Sequence, residues 1–448
     1  MKRKEFMQLT SALIAAPLVA SLEGLAQTTP LQNWAGNLSF STNNVYYPNT
    51  VSEVQDLVKK CTYLRPLGTR HCFNTIADSK QNLISTKALN KVVSLDKNNL
   101  TVTVESGIKY GELAPYLHEQ GFALHNLASL PHISVGGSIT TATHGSGVGN
   151  GNLAAAVRGI ELVLADGSVL QLTKEKDGEK FNAAVVGLGA LGIMTKVTLA
   201  IEPTYQVRQH VFTGMPMKAL KDNFNKIVGA GYSVSLFTDW QTPNINEVWI
   251  KSRVDNGVNY DGVKDFFGAQ AATTNLHPIA TLSPVNCTEQ MGVPGPWHER
   301  LPHFKMGFTP SSGVELQSEY FIPMQQATDA IFAIAALGKV IGPHLFISEI
   351  RTIAADNFWM SPHYQQASVA IHFTWQQHIP EVMALLPLVE KKLEHFNAKP
   401  HWGKLFTITP AVLANRYKKM EDFKAMVATL DPAQKFRNEF LSRNLYTV

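Results

Sequence analysis

Between residues 44 and 205, runs of alternating apolar and polar residues are interleaved with segments whose apolar positions recur at helical spacing. A period of two predicts strands, and spacings of three and four predict helices. In chain order, these patterns predict a strand at 44–48, a helix at 51–60, a strand pair at 92–95 and 100–104, a helix at 110–120, and a hairpin at 158–172. Strand pairs mixed with helices in this way favour an α+β fold.

A glycine-rich string at 187–192, Gly-Leu-Gly-Ala-Leu-Gly, matches the fingerprint of proteins that bind nicotinamide dinucleotides. In that fold the glycine loop opens a helix. Here the next segment, 193–199, is rich in β-branched residues and alternates like a strand. The sequence therefore predicts a strand after the glycines, and it disfavours a nicotinamide-dependent dehydrogenase.

The composition is that of an ordinary soluble protein, long enough for two domains. Among 448 residues, 39 Lys and Arg against 35 Asp and Glu give a net charge of +4. This small, dispersed excess argues against nucleic acid or a membrane surface as partner. Cys61, Cys72 and Cys287 fit neither a disulfide framework nor a metal site. Aromatic residues become more frequent from about residue 206, which predicts a second domain there.

The first 26 residues have the pattern of an export signal. A basic start at 2–4 precedes an uncharged, mostly apolar run at 9–22, and small residues at 24–26 suit a signal peptidase. The alternative is a membrane anchor, but the run is short for a span, so we expect no stable membrane insertion. We therefore expect export to the periplasm. Residues 3–8 resemble a twin-arginine signal with lysine as its second basic residue, which leaves the export route open.

Two loops rich in glycine and hydroxyl groups suit a long phosphorylated cofactor clasped from both sides. The first, at 65–74, reads Arg-Pro-Leu-Gly-Thr-Arg-His-Cys-Phe-Asn and offers backbone N–H groups, a hydroxyl and two guanidinium groups to a pyrophosphate. A surface turn with incidental cations explains the first loop alone equally well. The second loop, which runs from 134–138 into 143–147, favours the cofactor.

Three polar clusters interrupt strand-like apolar segments in the second half of the chain. They are Glu349 and Arg351 within 346–353, His372 and Thr374 within 369–375, and the run His-Trp-Gly-Lys at 401–404. Alternation places the two polar residues of each strand-like segment on one face. Charged groups on buried strands need partners or a ligand. A salt bridge between Glu349 and Arg351 is the structural alternative, but three clusters together predict a polar pocket.

The two loops resemble the FAD-binding domain of the vanillyl-alcohol oxidase superfamily. The resemblance implies an α+β fold with a two-part PCMH-type FAD-binding domain at 27–205 and an α+β substrate-binding cap domain at 206–448, whose C-terminal segment returns to the flavin. It also implies a covalent bond from His71 to the flavin, for which neutral imidazole is a suitable nucleophile. The residues implied to contact FAD are Gly68, Thr69, Arg70, His71, Cys72, Asn74, Ser129, Ser134, Gly137, Thr141, Thr143, His144, Ile193, His401 and Lys404.

Further segments are similar to bacterial alditol oxidases, also called xylitol oxidases. They lie at 127–134, 297–304, 313–321, 348–356 and 401–404, and the similarity extends over nearly all of the chain after the signal segment. The motifs of the first loop and of 401–404 are shared with sugar-lactone oxidases. A sugar-1,4-lactone oxidase or dehydrogenase of the same superfamily is therefore the alternative.

This second resemblance implies oxidation of the terminal primary alcohol of an alditol, such as xylitol or sorbitol, to the aldose, with oxygen reduced to hydrogen peroxide. The residues implied to bind the polyol hydroxyls are Ser129, Glu349, Arg351 and Thr374, and those implied to act at the reacting carbon are Arg351, His372 and Lys404. Carboxylates accept from hydroxyl groups, whereas guanidinium groups donate to them. Lys404 would act either as a neutral base or as a cation that stabilises negative charge.

Overall fold

The computed structural model describes residues 30–307 and 314–447. The export signal predicted at 1–26 lies outside the described residues. Among those residues, no helix is long and apolar enough to cross a membrane.

Small sheets make up the first half of the described chain. Its strands are β1 Val45–Tyr46, β2 Arg65–Leu67, β3 Leu83–Ser85, β4 Val92–Asp96, β5 Thr101–Glu105, β6 Phe122–Ala123, β7 Val157–Val163, β8 Val169–Thr173, β9 Ile193–Ala200 and β10 Glu202–Pro203. Its helices are α1 Val51–Lys60, α2 Tyr110–Glu119, α3 Val135–Thr140 and α4 Lys174–Val185. The strands form a parallel sheet of order β1-β3-β2, an antiparallel sheet of order β4-β5-β9-β7-β8, and the pair β6-β10.

One large antiparallel sheet dominates the second half. Its strands are β11 Gln206–Pro216, β12 Ser233–Thr238, β13 Asn244–Arg253, β14 Asp265–Phe266, β15 Ala269–Ala271, β16 Gly295–Pro296, β17 Leu316–Pro323, β18 Leu345–Ile353, β19 Ser368–Trp375 and β20 Lys399–Pro400. Its helices are α5 Ala219–Val228, α6 Ala327–Ala335, α7 Gly338–Ile341, α8 Ile379–Leu393, α9 Pro410–Arg416, α10 Met420–Leu430 and α11 Glu439–Leu441. The change of architecture lies beside the domain boundary predicted near residue 205, and the division into domains stays a prediction.

The predicted helix at 51–60 is confirmed as α1, and local chemistry explains its bounds. The Thr50 side chain caps it by accepting from the Glu53 N–H at 3.2 Å. Val54 and Val58, four residues apart, are the buried face of the helix. The helix therefore begins and ends where the sequence pattern indicated.

The strand predicted after the glycine string is also confirmed, as β9. Gly192 has a φ of 148°, and a Cβ built there would lie 2.5 Å from the carbonyl oxygen of Val163. The glycine thus permits a close approach of β9 to β7. The absence of a side chain serves sheet packing here, and no helix follows.

Register across three central strands determines which side chains meet at the candidate site. In the order β18-β19-β17, His372 is paired with Glu349 on one side and with Glu319 on the other. Residues directly opposite each other in a sheet share a face. Two residues further along β19, on the same face, Thr374 is paired with Ile347 and Gln317. The opposite face of the same strands carries Ile350, Ile371 and Tyr320, all fully buried in the main hydrophobic cluster.

Candidate active site

The first loop, the second loop and the polar face of the large sheet line one cavity. Most residues that the sequence analysis assigned to cofactor or substrate lie on its wall. They are Gly68, Thr69, Arg70, His71, Cys72, Ser129, Gly137, Thr141, Thr143, His144, Glu349, Arg351, His372, Thr374, His401 and Lys404. Segments separated by more than three hundred residues of chain thus meet in a single space, as the predicted placement of a flavin requires.

Three of the predicted cofactor residues, Ile193, Asn74 and Ser134, do not line this cavity, and their contact with the cofactor stays a prediction. Ile193 packs with Val54 and Val58 of α1. Its neighbours Gly192 and Met194 line the cavity, because successive side chains of a strand point to opposite faces. Asn74 instead joins two segments: its Nδ2 donates to the carbonyls of Trp402 at 2.8 Å and Lys404 at 2.6 Å.

Ser134 likewise lies behind the cavity wall rather than on it. A Cβ built on Gly68 would lie 2.8 Å from the Ser134 hydroxyl oxygen, and one built on Gly137 would lie 2.9 Å from it. This oxygen is buried and has no partner among the described residues. The two loops therefore approach each other through glycines, with the Ser134 hydroxyl between them.

The environment of His71 keeps its ring neutral and fixed. Its Nδ1 lies 3.0 Å from the Thr69 hydroxyl, and its Nε2 is buried without a partner among the described residues. Trp34 stacks on the ring at 5.2 Å and 20°. Burial, followed by the nearby His132, lowers the pKa of His71 to about 4. Trp34 was missed by the sequence analysis, because a tryptophan in an irregular segment carries no periodic signal.

An uncompensated positive charge lies on the cavity wall at Arg65, which is 2% exposed. Its guanidinium group donates to main-chain carbonyls of Ile76, Leu188, Gly189 and Phe436 at 2.6–2.8 Å. No carboxylate pairs with it in the described parts of the chain. Burial lowers the pKa of Arg65 to about 9. A buried charge without a counter-charge is costly, and Arg65 Nε has no partner among the described residues, so an anionic group of a bound cofactor would offset this cost.

The centre of the polar face is a carboxylate that the sequence analysis did not assign, Glu319. Its Oε1 accepts from Arg351 Nη2 at 2.7 Å and its Oε2 from Lys404 Nζ at 2.7 Å. His144 Nε2 lies 3.2 Å from Oε1. Burial raises the pKa of Glu319, but Lys404, His144 and Arg351 outweigh it and hold the pKa well below its usual value. Glu319 is therefore a charged group with no solvent exposure.

Lys404 connects this carboxylate to the neighbouring strand. Its Nζ lies 2.7 Å from Glu319 Oε2 and 2.8 Å from His372 Nδ1, while His372 Nε2 lies 3.0 Å from the Thr374 hydroxyl. Burial lowers the pKa of Lys404, and Glu319 opposes that shift. Burial also lowers the pKa of His372 well below its usual value, so this ring is neutral. Predicted placement of His372 and Thr374 on one face is confirmed.

Glu349 and Arg351 contact each other and also line the cavity, so the salt bridge and the polar pocket considered for this strand are both present. Arg351 Nε lies 3.4 Å from Glu349 Oε2, and Arg351 Nη1 lies 3.3 Å from the Ser129 hydroxyl. A shorter contact of 2.7 Å joins Glu349 Oε1 to His303 Nε2. Burial raises the pKa of Glu349, but Arg351 and then His303 hold it well below its usual value. His303 was missed, because it lies in an irregular segment far from Glu349 in sequence.

Comparison with known proteins identifies the fold and the class. Residues 42–173 match the family described as "FAD binding domain", and residues 312–444 match the family described as "D-arabinono-1,4-lactone oxidase". Cholesterol oxidase from B. sterolicum has a similar structure, with a TM-score of 0.73 at 14% identity over 96% of this chain and all of that one. Fold and site together define an FAD-dependent oxidoreductase with the α+β architecture of the vanillyl-alcohol oxidase superfamily. The predicted fold class and cofactor are confirmed.

A more similar sequence refines this class. Alditol oxidase from Streptomyces sp. (strain IKD472 / FERM P-14339) is 45% identical over 417 residues, which are 92% of this chain and 98% of that protein. The chain belongs to the alditol oxidase family. L-gulono-1,4-lactone dehydrogenase from Mycobacterium tuberculosis is 27% identical over 92% of this chain and 98% of its own. L-gulonolactone oxidase from Mus musculus is 25% identical over 93% and 98%, respectively.

We expect Glu319→Gln to lower both thermal stability and substrate turnover. The change leaves Arg351 and Lys404 buried without their shared carboxylate, and breaking such a pair costs about 3–5 kcal/mol. Thermal melting and turnover per bound flavin measure the two effects. Glu161→Gln is the matched control, because Glu161 is a buried carboxylate 3.0 Å from Lys196 in the five-stranded sheet. It should lower the melting temperature alone. Unchanged melting and turnover of Glu319→Gln would contradict the central role of this carboxylate.

Proposed function

We propose that this protein oxidises the terminal primary alcohol of an alditol, such as xylitol or sorbitol, to the aldose, and that oxygen is reduced to hydrogen peroxide. The observation that supports this most is the shared cavity, which is lined by Ser129, Glu349 and Arg351 and also by the His71 loop. Acceptors and donors on a buried surface suit a chain of vicinal hydroxyls. The similarity to an alditol oxidase supports the same substrate class.

The residues of the polar face have distinct tasks in this proposal. Glu349 accepts hydrogen bonds from the polyol, while Arg351 and the hydroxyls of Ser129 and Thr374 donate to it. Bound FAD supplies the acceptor for the hydride that leaves the alcohol carbon.

In this proposal Lys404 either accepts the proton of the reacting hydroxyl or donates a hydrogen bond to its oxygen. Two positions on its Nζ are taken by Glu319 and His372. The third position is left for the substrate oxygen. As a neutral amine it accepts the hydroxyl proton, and as an ammonium it donates to the developing alkoxide. Burial lowers the pKa of Lys404, which increases the neutral fraction.

A sugar-1,4-lactone substrate is the second candidate, because residues 312–444 match a lactone oxidase family. Activity assays of the purified holoenzyme separate the two candidate substrates. The substrates tested are xylitol, sorbitol, galactono-1,4-lactone and gulono-1,4-lactone, and both peroxide release and reduction of a dye acceptor are measured. We expect turnover of the alditols with release of peroxide. Turnover of lactones alone would overturn the proposed substrate. Dye reduction without peroxide would show a dehydrogenase instead of an oxidase.

We propose further that His71 holds the flavin covalently. A neutral ring held between Trp34 and Thr69, with an unpartnered nitrogen, supports a nucleophilic role. Acid-precipitated wild-type protein should therefore give a yellow, fluorescent pellet, whereas His71→Ala should leave the colour in the supernatant. Cys72→Ala is the control, since the adjacent thiol also lines the cavity, and its pellet should stay yellow. A colourless wild-type pellet would refute the attachment.

We also propose that residues 1–26 direct export to the periplasm. The basic start, the apolar run and the small residues near Ala26 support this. N-terminal sequencing of protein from the periplasmic fraction should begin near Gln27. An intact N-terminus on cytoplasmic protein would contradict the proposal. Dependence on the twin-arginine or the general secretion machinery, tested in strains that lack one of them, identifies the route.

A further inference from the structure

We propose that Lys251 and His303 are positioning residues for the substrate-binding carboxylate Glu349. In this arrangement Lys251 fixes the His303 ring with its proton on Nε2, and that N–H orients Glu349 toward the polyol. The inference rests on the proposed function of Glu349. Lys251 does not line the cavity, and its contact with the site is through His303.

The contacts of Lys251 determine the state of the His303 ring. Lys251 lies in β13 and is 1% exposed. Its Nζ lies 2.6 Å from the carbonyl oxygen of Leu301, 3.0 Å from that of Pro302, and 3.1 Å from His303 Nδ1. An ammonium group has three donors and no acceptor. Burial lowers the pKa of Lys251 to about 7, and in its ammonium form all three donors are used, so Nδ1 accepts. The Glu349 carboxylate can only accept, which also requires the proton of the neutral ring to lie on Nε2.

The position of the His303 ring directs that proton at Glu349. Burial, followed by Lys251, lowers the pKa of His303 to about 4, so the ring is neutral. Its Nε2 lies 2.7 Å from Glu349 Oε1. Phe237 and Trp249 hold the ring edge-on, at 5.5 and 5.2 Å between ring centres. The backbone N–H of His303 also donates to the carbonyl of Ser129 at 3.1 Å. His303 thus positions two residues of the proposed substrate site.

Glu349 needs this donor because its other neighbour competes with the substrate. Arg351 Nε lies 3.4 Å from Glu349 Oε2, which is longer than a typical hydrogen bond of this kind. Guanidinium groups favour two parallel bonds to one carboxylate. Without the short contact to His303, Glu349 is free to rotate onto Arg351. Both groups would then satisfy each other, and fewer of their donors and acceptors would remain for hydroxyl groups.

The protonation of the His303 ring can be observed independently of any substrate. Nitrogen NMR of the holoenzyme labelled in its histidine rings should show a neutral ring protonated at Nε2 whose signal disappears in His303→Gln. In Lys251→Met this signal should shift toward the other tautomer, because Nδ1 has lost its donor. A wild-type His303 ring that is protonated at Nδ1, or at both nitrogens, would overturn the proposal.

Kinetics separates positioning from a purely structural role. His303→Leu and Lys251→Met should each raise KM about 10-fold, the size of effect expected when a hydrogen bond to a charged group is lost. His303→Gln should restore most of the affinity, since its amide offers a donor near the position of Nε2. In the His303→Gln background, Lys251→Met should have little further effect on KM, because an amide has no tautomer to fix.

The controls make each outcome decisive. Lys196→Met removes a lysine paired with Glu161 outside the cavity, and its KM should not change. Flavin content and melting temperature are measured for every variant. Additive effects of Lys251→Met and His303→Gln on KM would show that Lys251 does not act through His303. If the wild-type enzyme oxidises only lactones, the proposed substrate is wrong, and the same series measured on the lactone still decides the positioning role.

Discussion

The ion pairs of Glu319 are the interaction on which the rest of the site depends. This carboxylate has no exposure, yet it stays charged because Arg351 and Lys404 each donate to one of its oxygens. Each cation is in turn tolerated inside the protein because Glu319 is there. Removing any member leaves a buried charge without a partner, which is far more costly than the net gain from forming the pair. The three groups therefore fix one another, and the residues around them are arranged on this frame.

Strand register makes this frame possible. Glu319, His372 and Glu349 come from three strands but form one row, since antiparallel pairing places them directly opposite one another. A slip of one residue in β19 would turn His372 to the apolar face. The buried side chains on that face, such as Ile371, therefore stabilise the register and with it the geometry of the site. Packing on one side of the sheet thus determines chemistry on the other.

Alternation and loop composition predicted much of the site, because both are local properties of the sequence. They placed Glu349 with Arg351 on one face and indicated the two loops that line the cavity. The family resemblance assigned Ile193 to the cofactor, but alternation in β9 directs Met194 to the cavity, so a contact of Ile193 with the cofactor stays a prediction. The sequence analysis missed Glu319 although the same alternation in β17 marks a charged residue among apolar ones. Local sequence patterns could not predict the roles of His303 and Lys251, because only long-range packing brings these residues to Glu349.

The two buried carboxylates of the row are held in different ways, and the difference matches different tasks. Glu319 contacts a cation with each oxygen at 2.7 Å, so its accepting capacity is largely used by the protein. Glu349 has one short contact, to a neutral ring, and a longer one of 3.4 Å to Arg351. A carboxylate has about four acceptor sites. Glu349 therefore keeps capacity for further donors, which suits a group that binds hydroxyls, whereas Glu319 maintains the charges around it.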